Sequence, residues 1–143
     1  MQVRHILFDK GREIHAITAD ATLAEAIRIL AQRRIGAVVV TGEDGSLVGI
    51  LSERDVVRAL AEGQGAVLNR PLSAFMTRGI TTCTEDDTVD DLMELMTLGR
   101  FRHIPVLSHG ALVGIVSIGD VVKTRIAETV REAAILRDYI ATG

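Results

Sequence analysis

Two serine–aspartate pairs carry most of the chemistry this chain can offer. Ser52 and Asp55 close the run Leu47-Val48-Gly49-Ile50-Leu51-Ser52-Glu53-Arg54-Asp55-Val56-Val57. Ser117 and Asp120 close a second copy, Leu112-Val113-Gly114-Ile115-Val116-Ser117-Ile118-Gly119-Asp120-Val121-Val122. In both, a short apolar run rich in β-branched residues leads to a serine, an aspartate three places on, and a helical pattern. This reads as a buried strand feeding straight into a helix. The serine stands at the N-cap, where unpaired N–H groups and a partial positive charge favour a phosphate or another anion. Spacing alone is not distinctive, because Thr22…Glu25 and Thr88…Asp91 fit the same capping pattern and need no further role. Ser52 and Ser117 differ in their preceding strand, which sets cap and acid at a strand's C-terminal end, where ligands gather in α/β folds.

Other chemistries find little support. The single cysteine, Cys83, forms neither an intrachain disulfide nor a metal-type cluster. His5, His15 and His109 lack metal-ligand spacing, so no metal site is expected. The acids Glu85-Asp86-Asp87 and Asp90-Asp91 lack the glycine pattern of a calcium loop and suit a helix N-terminus. No Walker lysine motif, dinucleotide fingerprint or nucleophile elbow is present, so an enzyme is not expected. A net charge of −3 and 3% aromatics disfavour nucleic-acid binding. No apolar run has the length of a membrane span and no signal-peptide core is seen, so a cytoplasmic protein without membrane contact is expected.

The elements that must position the two pairs follow from periodicity. Val3 to Phe8 suits a short helix and Ile14 to Thr18 a strand. A helix capped by Thr22 carries Leu23, Ala26, Ile27 and Leu30 on one face. Val38-Val39-Val40 and Leu47 to Leu51 form a hairpin about Gly42-Glu43-Asp44-Gly45, followed by a helix from Glu53 to Glu62. Gly63-Gln64-Gly65 and Asn69-Arg70-Pro71 mark a boundary, and Leu72 to Met76 suits one helical turn across it. The order then restarts: strand Ile80 to Thr84, helix Val89 to Leu98, strand Ile104 to Leu107, strand Leu112 to Val116, and a long helix from Asp120 to Ala141. Ser52 and Ser117, like Asp55 and Asp120, stand 65 residues apart. The expected fold is α/β (α+β): two β-α-β-β-α halves, residues 1–67 and 68–143, closing on each other about a pseudo-two-fold axis.

Gly49 to Asp55 and Gly114 to Asp120 resemble the glycine-apolar-x-Ser/Thr-x-x-Asp signature of cystathionine-β-synthase (CBS) domains. Arg102-His103-Ile104-Pro105-Val106 resembles the strand that precedes it in that family, and the likeness runs from about Ile14 to Lys123. The resemblance implies a stand-alone CBS pair, or Bateman module, that binds an adenine nucleotide (AMP, ATP or NAD) between its repeats and regulates an unidentified protein. It implies that Asp55 and Asp120 hold ribose hydroxyls. Ser52, Arg54, Arg102, His103, Ser117, Ile118 and Gly119 then stand near ribose or phosphate. Adenine would lie around Thr18, Val38, Thr82, Ile104 and Pro105.

The copies differ where phosphate would be read: Gly36-Ala37 and Glu53-Arg54 in the first answer to Arg102-His103 and Ile118-Gly119 in the second. On this basis the tighter site is expected to be that of Asp120, served by Arg102 and His103. On the last helix, Val122, Ile126, Thr129, Ala133, Leu136 and Ile140 make a narrow stripe that suits either packing on the chain's own N-terminal segment or a homodimer contact. The alternative to a nucleotide sensor is a structural dimerisation module with vestigial clefts.

Overall fold

The computed structural model describes residues 1–142. Helix α1 spans Val3–Lys10 and is followed by β1 (Ala16–Thr18), α2 (Leu23–Arg33), β2 (Ala37–Thr41), β3 (Leu47–Ser52) and α3 (Glu53–Gly63). Short 3₁₀ turns at Gln64–Asn69 and Leu72–Ala74 lead to β4 (Cys83–Thr84), α4 (Val89–Gly99), β5 (His103–Ser108), β6 (Ala111–Ser117) and α5 (Ile118–Thr142). Two three-stranded sheets result, β1-β2-β3 and β4-β5-β6, each with a parallel pair and an antiparallel hairpin. This is the repeated β-α-β-β-α order the sequence implies.

The halves match in detail. Thr22 and Thr88 cap α2 and α4 through their side chains, and both helices end on an αL arginine, Arg34 and Arg100. Both hairpins shift register at the same place, Val40/Thr41 and Val106/Leu107. The second hairpin closes on His109 and Gly110, both at positive φ, as a two-residue turn requires. Val38, Val40 and Leu51 face one core, and Ile104, Val106 and Val116 face the other. Val39 and Pro105 lie on the opposite sheet faces by strand alternation and are buried too, so the halves close through those faces.

Two segments cross between the halves. α1 places Val3, Ile6 and Leu7 in the core of the second sheet, while Leu72 and Met76 join the core of the first. Glycine in the signature strands permits this. A Cβ at Gly49 would stand 2.6 Å from Met76 Sδ, and one at Gly114 would stand 2.6 Å from Leu7 Cδ2. Thr77 pairs with Ile50 through both backbone hydrogen bonds, 2.9 and 3.0 Å, whereas Cys83 pairs with Val106. Between them the chain passes from one sheet to the other. For this reason the strand expected over Ile80 to Thr84 shortens to Cys83–Thr84.

The acids before α4 have structural partners. Arg12 forms two 3.1 Å hydrogen bonds to Glu85, Arg4 pairs with Asp86, and Asp87 accepts from Thr84 N–H at 2.8 Å. Burial, then the charge of Asp87, pushes the Cys83 thiol up to about 12, so it is an inert core group.

Candidate functional site

At the end of β3 the chain turns into α3 through a reciprocal capping box. Ser52 N–H donates to Asp55 Oδ2 at 2.9 Å, and Asp55 N–H donates back to Ser52 Oγ at 3.4 Å. Asp55 is only 6% exposed and is the sole buried charged residue among those described. Its other neighbours are longer contacts: Thr77 Oγ1 donates at 3.3 and 3.4 Å, and Arg58 Nη1 stands 3.6 Å from Oδ1. A buried carboxylate whose outer donors are long can exchange them for ligand hydroxyls.

Asp55 opens into a cleft of about 610 Å³ between the halves. The first half contributes Gly36, Ile50, Ser52, Glu53, Arg54, Asp55 and Arg58. Thr77 and Gly79 come from the crossing segment, Gly99 to His103 from the α4–β5 connection, and Ile118 from α5. Arg54, Arg58, Arg100 and Arg102 outweigh Glu53 and Asp55 in charge. Arg54 Nη1 reaches across to the Arg100 carbonyl at the C-terminus of α4, 3.2 Å away, tying the halves together. His103 lies against Gly36, where a Cβ would meet its Cε1 at 3.0 Å. Burial, then the charges of Lys10 and Arg102, hold the imidazole below the usual histidine range against the pull of Glu53 and Asp120.

The second signature folds alike but is filled differently. Ser117 N–H and Oγ donate to Asp120 Oδ2 at 2.8 and 3.0 Å, and Asp120 N–H returns to Ser117 Oγ at 3.2 Å. Lys10 Nζ then donates to the same Oδ2 at 2.7 Å and to the Ile115 carbonyl at 2.9 Å. Burial raises the Asp120 pKa, but Lys10 and the Ser117 donors outweigh it, and the carboxyl sits below its ordinary value.

The residues expected at the site thus divide. Ser52, Arg54, Asp55, Arg102, His103 and Ile118 meet in one cleft, whereas Ser117, Gly119 and Asp120 do not line it. Arg102 and His103 line the cleft of Asp55, and they also adjoin the second signature, where His103 pairs with Ser117 across the hairpin and the Ile118 N–H donates to the Arg102 carbonyl at 2.8 Å. Val38 and Ile104 do not line the cleft, since strand alternation turns both into the cores. Pro105 is buried between the halves, and Thr18 is exposed with its hydroxyl 2.6 Å from Asp20. Thr82 lines a separate 720 Å³ groove by the hairpin turns, with Ile14, Ala16, Leu47 and Leu112. Sequence reasoning missed Thr77, Arg100, Phe101 and Lys10. The repeat offset, which maps Arg34 onto Arg100, was the available signal for Arg100. No group of three or more His, Cys, Asp or Glu suited to a metal occurs among the described residues, and no described helix is long and apolar enough to cross a membrane.

The CBS domain model matches residues 3–62 and 72–127, so each matched unit includes one crossing segment. Among solved structures, a CBS-domain-containing protein from Agrobacterium tumefaciens is 46% identical with a TM-score of 0.86, covering 87% of this chain and 99% of that one. A CBS domain protein from Pyrobaculum aerophilum, complexed with AMP, is 31% identical with a TM-score of 0.75 over 84% of this chain and 89% of its own. The CBS domain pair of protein MJ0100, in complex with 5-methylthioadenosine and S-adenosyl-L-methionine, is 26% identical with a TM-score of 0.80 over 90% of this chain and 98% of its own. Two curated relatives at 33% and 36% identity are longer, and the chain spans 66% and 63% of their lengths.

Proposed function

The chain belongs to the CBS domain family, and on that premise we propose that it is a non-catalytic regulatory module holding one adenine nucleotide in the cleft of Asp55. The observation that carries this reading is the buried Asp55 carboxylate sharing one 610 Å³ cleft with four arginines, two from its own helix and two from the other half. A carboxylate accepts from two vicinal ribose hydroxyls, and arginine binds phosphate through charge-assisted hydrogen bonds. Thr77 and Arg58 yield their long contacts to the ribose, Arg54 and Arg102 take the phosphate, and the base rests against Ile50, Phe101 and Ile118.

The AMP complex of the Pyrobaculum relative supports this ligand class. The MJ0100 pair extends it to S-adenosyl-L-methionine, but a sulfonium cation gains nothing among four arginines. Phosphate-bearing AMP, ATP and NAD are therefore the favoured ligands. Because the cleft is built from both halves, an occupant stabilises one arrangement of them, and that arrangement is what a regulated partner protein reads.

Saturating AMP, ATP or NAD should raise the melting temperature of protein first stripped of bound ligand. At a hundredfold excess over Kd, mass action supplies about 2.7 kcal/mol, a shift of several degrees for a chain of this size. No shift with any of the three would favour a structural dimerisation module instead. That second reading draws on the exposed apolar face of α5, which includes Val122, Ile126, Leu136 and Ile140.

A further inference from the structure

We propose that Lys10 locks the second signature, so that the chain has one open nucleotide site and one closed by its own N-terminal helix. This rests on the nucleotide reading above and concerns the half that reading leaves without a ligand. The two capping boxes are nearly superposable in chemistry, yet their outer donors differ. Asp55 meets a neutral hydroxyl at 3.3 Å and an arginine at 3.6 Å. Asp120 meets an ammonium at 2.7 Å, and Oδ2 also accepts from the Ser117 N–H and hydroxyl. Each Oδ2 takes three donors, since that of Asp55 accepts from the Ser52 N–H, the Ser52 hydroxyl at 3.2 Å and Thr77, but only that of Asp120 has a full charge among them. A ribose diol approaching Asp120 must displace that ammonium, whereas at Asp55 it displaces only long contacts.

The lock is held in place by packing. α1 is anchored by Val3, Ile6 and Leu7 in the second core, with Leu7 seated where Gly114 lacks a side chain. Lys10 is the last residue of α1, and Gly11 follows at φ 93°, a left-handed conformation that stops the helix there. The 2.9 Å bond from Lys10 to the Ile115 carbonyl fixes the ammonium against the signature strand itself. At the matching place in the first half stand Met76 and Thr77, which carry no charge. The identity of one crossing segment therefore decides which carboxylate is free.

The decisive experiment is calorimetric titration of AMP into Asp55→Ala and into the double variant Asp55→Ala/Lys10→Ala, so that only the second signature is read. Release of the lock should restore saturable binding, tighter than in Asp55→Ala by about five- to 150-fold, the usual span of one coupling between sites. Adding Asp120→Ala should abolish the gain, and Lys10→Arg should keep the site closed. Lys10→Met, which retains the aliphatic stem, serves if the alanine variant fails to fold. Identical titrations with and without Lys10 would overturn the lock, whatever the wild-type chain binds. Equal binding by wild type and Asp55→Ala would instead remove the proposed role of Asp55, a separately readable failure.

Discussion

Arg102 decides, at the scale of single residues, whether the cleft selects for phosphate. It stands on the cleft wall opposite the Ser52–Asp55 turn and is exposed. Losing a charge-assisted hydrogen bond costs roughly 1.5–3 kcal/mol, so Arg102→Ala should weaken AMP about ten- to a hundredfold and leave adenosine binding unchanged. Equal losses for both ligands in competition titrations would place Arg102 away from the phosphate. His103 yields a pH prediction. Burial first, then Lys10 and Arg102, depress its pKa against Glu53 and Asp120. The folded chain thus binds this proton less readily than the unfolded chain. The resulting stability is complete above about pH 6.5 and is lost as pH falls through the lower folded value. Asp120 behaves likewise in the carboxylate range. Melting temperature should fall between pH 7 and 5, and His103→Gln should flatten that fall. Parallel curves for the two proteins would contradict the assignment. The Ser52–Asp55 turn was readable from sequence because its spacing is local. That Val38 and Ile104 face the cores was not, because which strand face turns inward is settled only when helices cover it.

Among the elements, α5 carries the least satisfied surface. It runs 25 residues, and Val121 is its only buried side chain. Val122, Ile126, Leu136 and Ile140 are 47%, 59%, 60% and 70% exposed, so the stripe read from the sequence does not pack on the chain's own N-terminal segment. We propose that a second copy covers this face; Val57 of α3 is likewise exposed. Sedimentation of the wild-type chain at micromolar concentration should show a dimer. Ile126→Glu with Leu136→Glu should shift it to monomer, with little effect on nucleotide affinity because neither residue lines the cleft. A wild-type monomer would contradict the pairing. Helix periodicity made α2 to α5 easy to read, since their caps and apolar faces are sequence-local. β4 was overextended because nothing local reveals that residues 78–82 cross between sheets.

For the molecule as a whole, the decisive feature is the exchange of segments between repeats. The repeat itself was plain in the sequence, as were the hairpins and the two-fold relation of the signatures. That Arg102 and His103 line the same cleft as Asp55 was not, because it depends on how one half docks on the other. Nor was the seating of Lys10 on Asp120, a contact between residues 110 apart in sequence. This docking makes two similar signatures unequal: one faces an arginine-rich cleft, and the other faces a lysine. The central claim is that the cleft of Asp55 takes an adenine nucleotide. Calorimetric titration of AMP into ligand-stripped wild-type protein and Asp55→Ala, both checked for folding by circular dichroism, tests it most directly. The account predicts one saturable site per wild-type chain and an affinity about ten- to a hundredfold weaker in the variant. No saturable binding, or equal affinity in the two proteins, would contradict it.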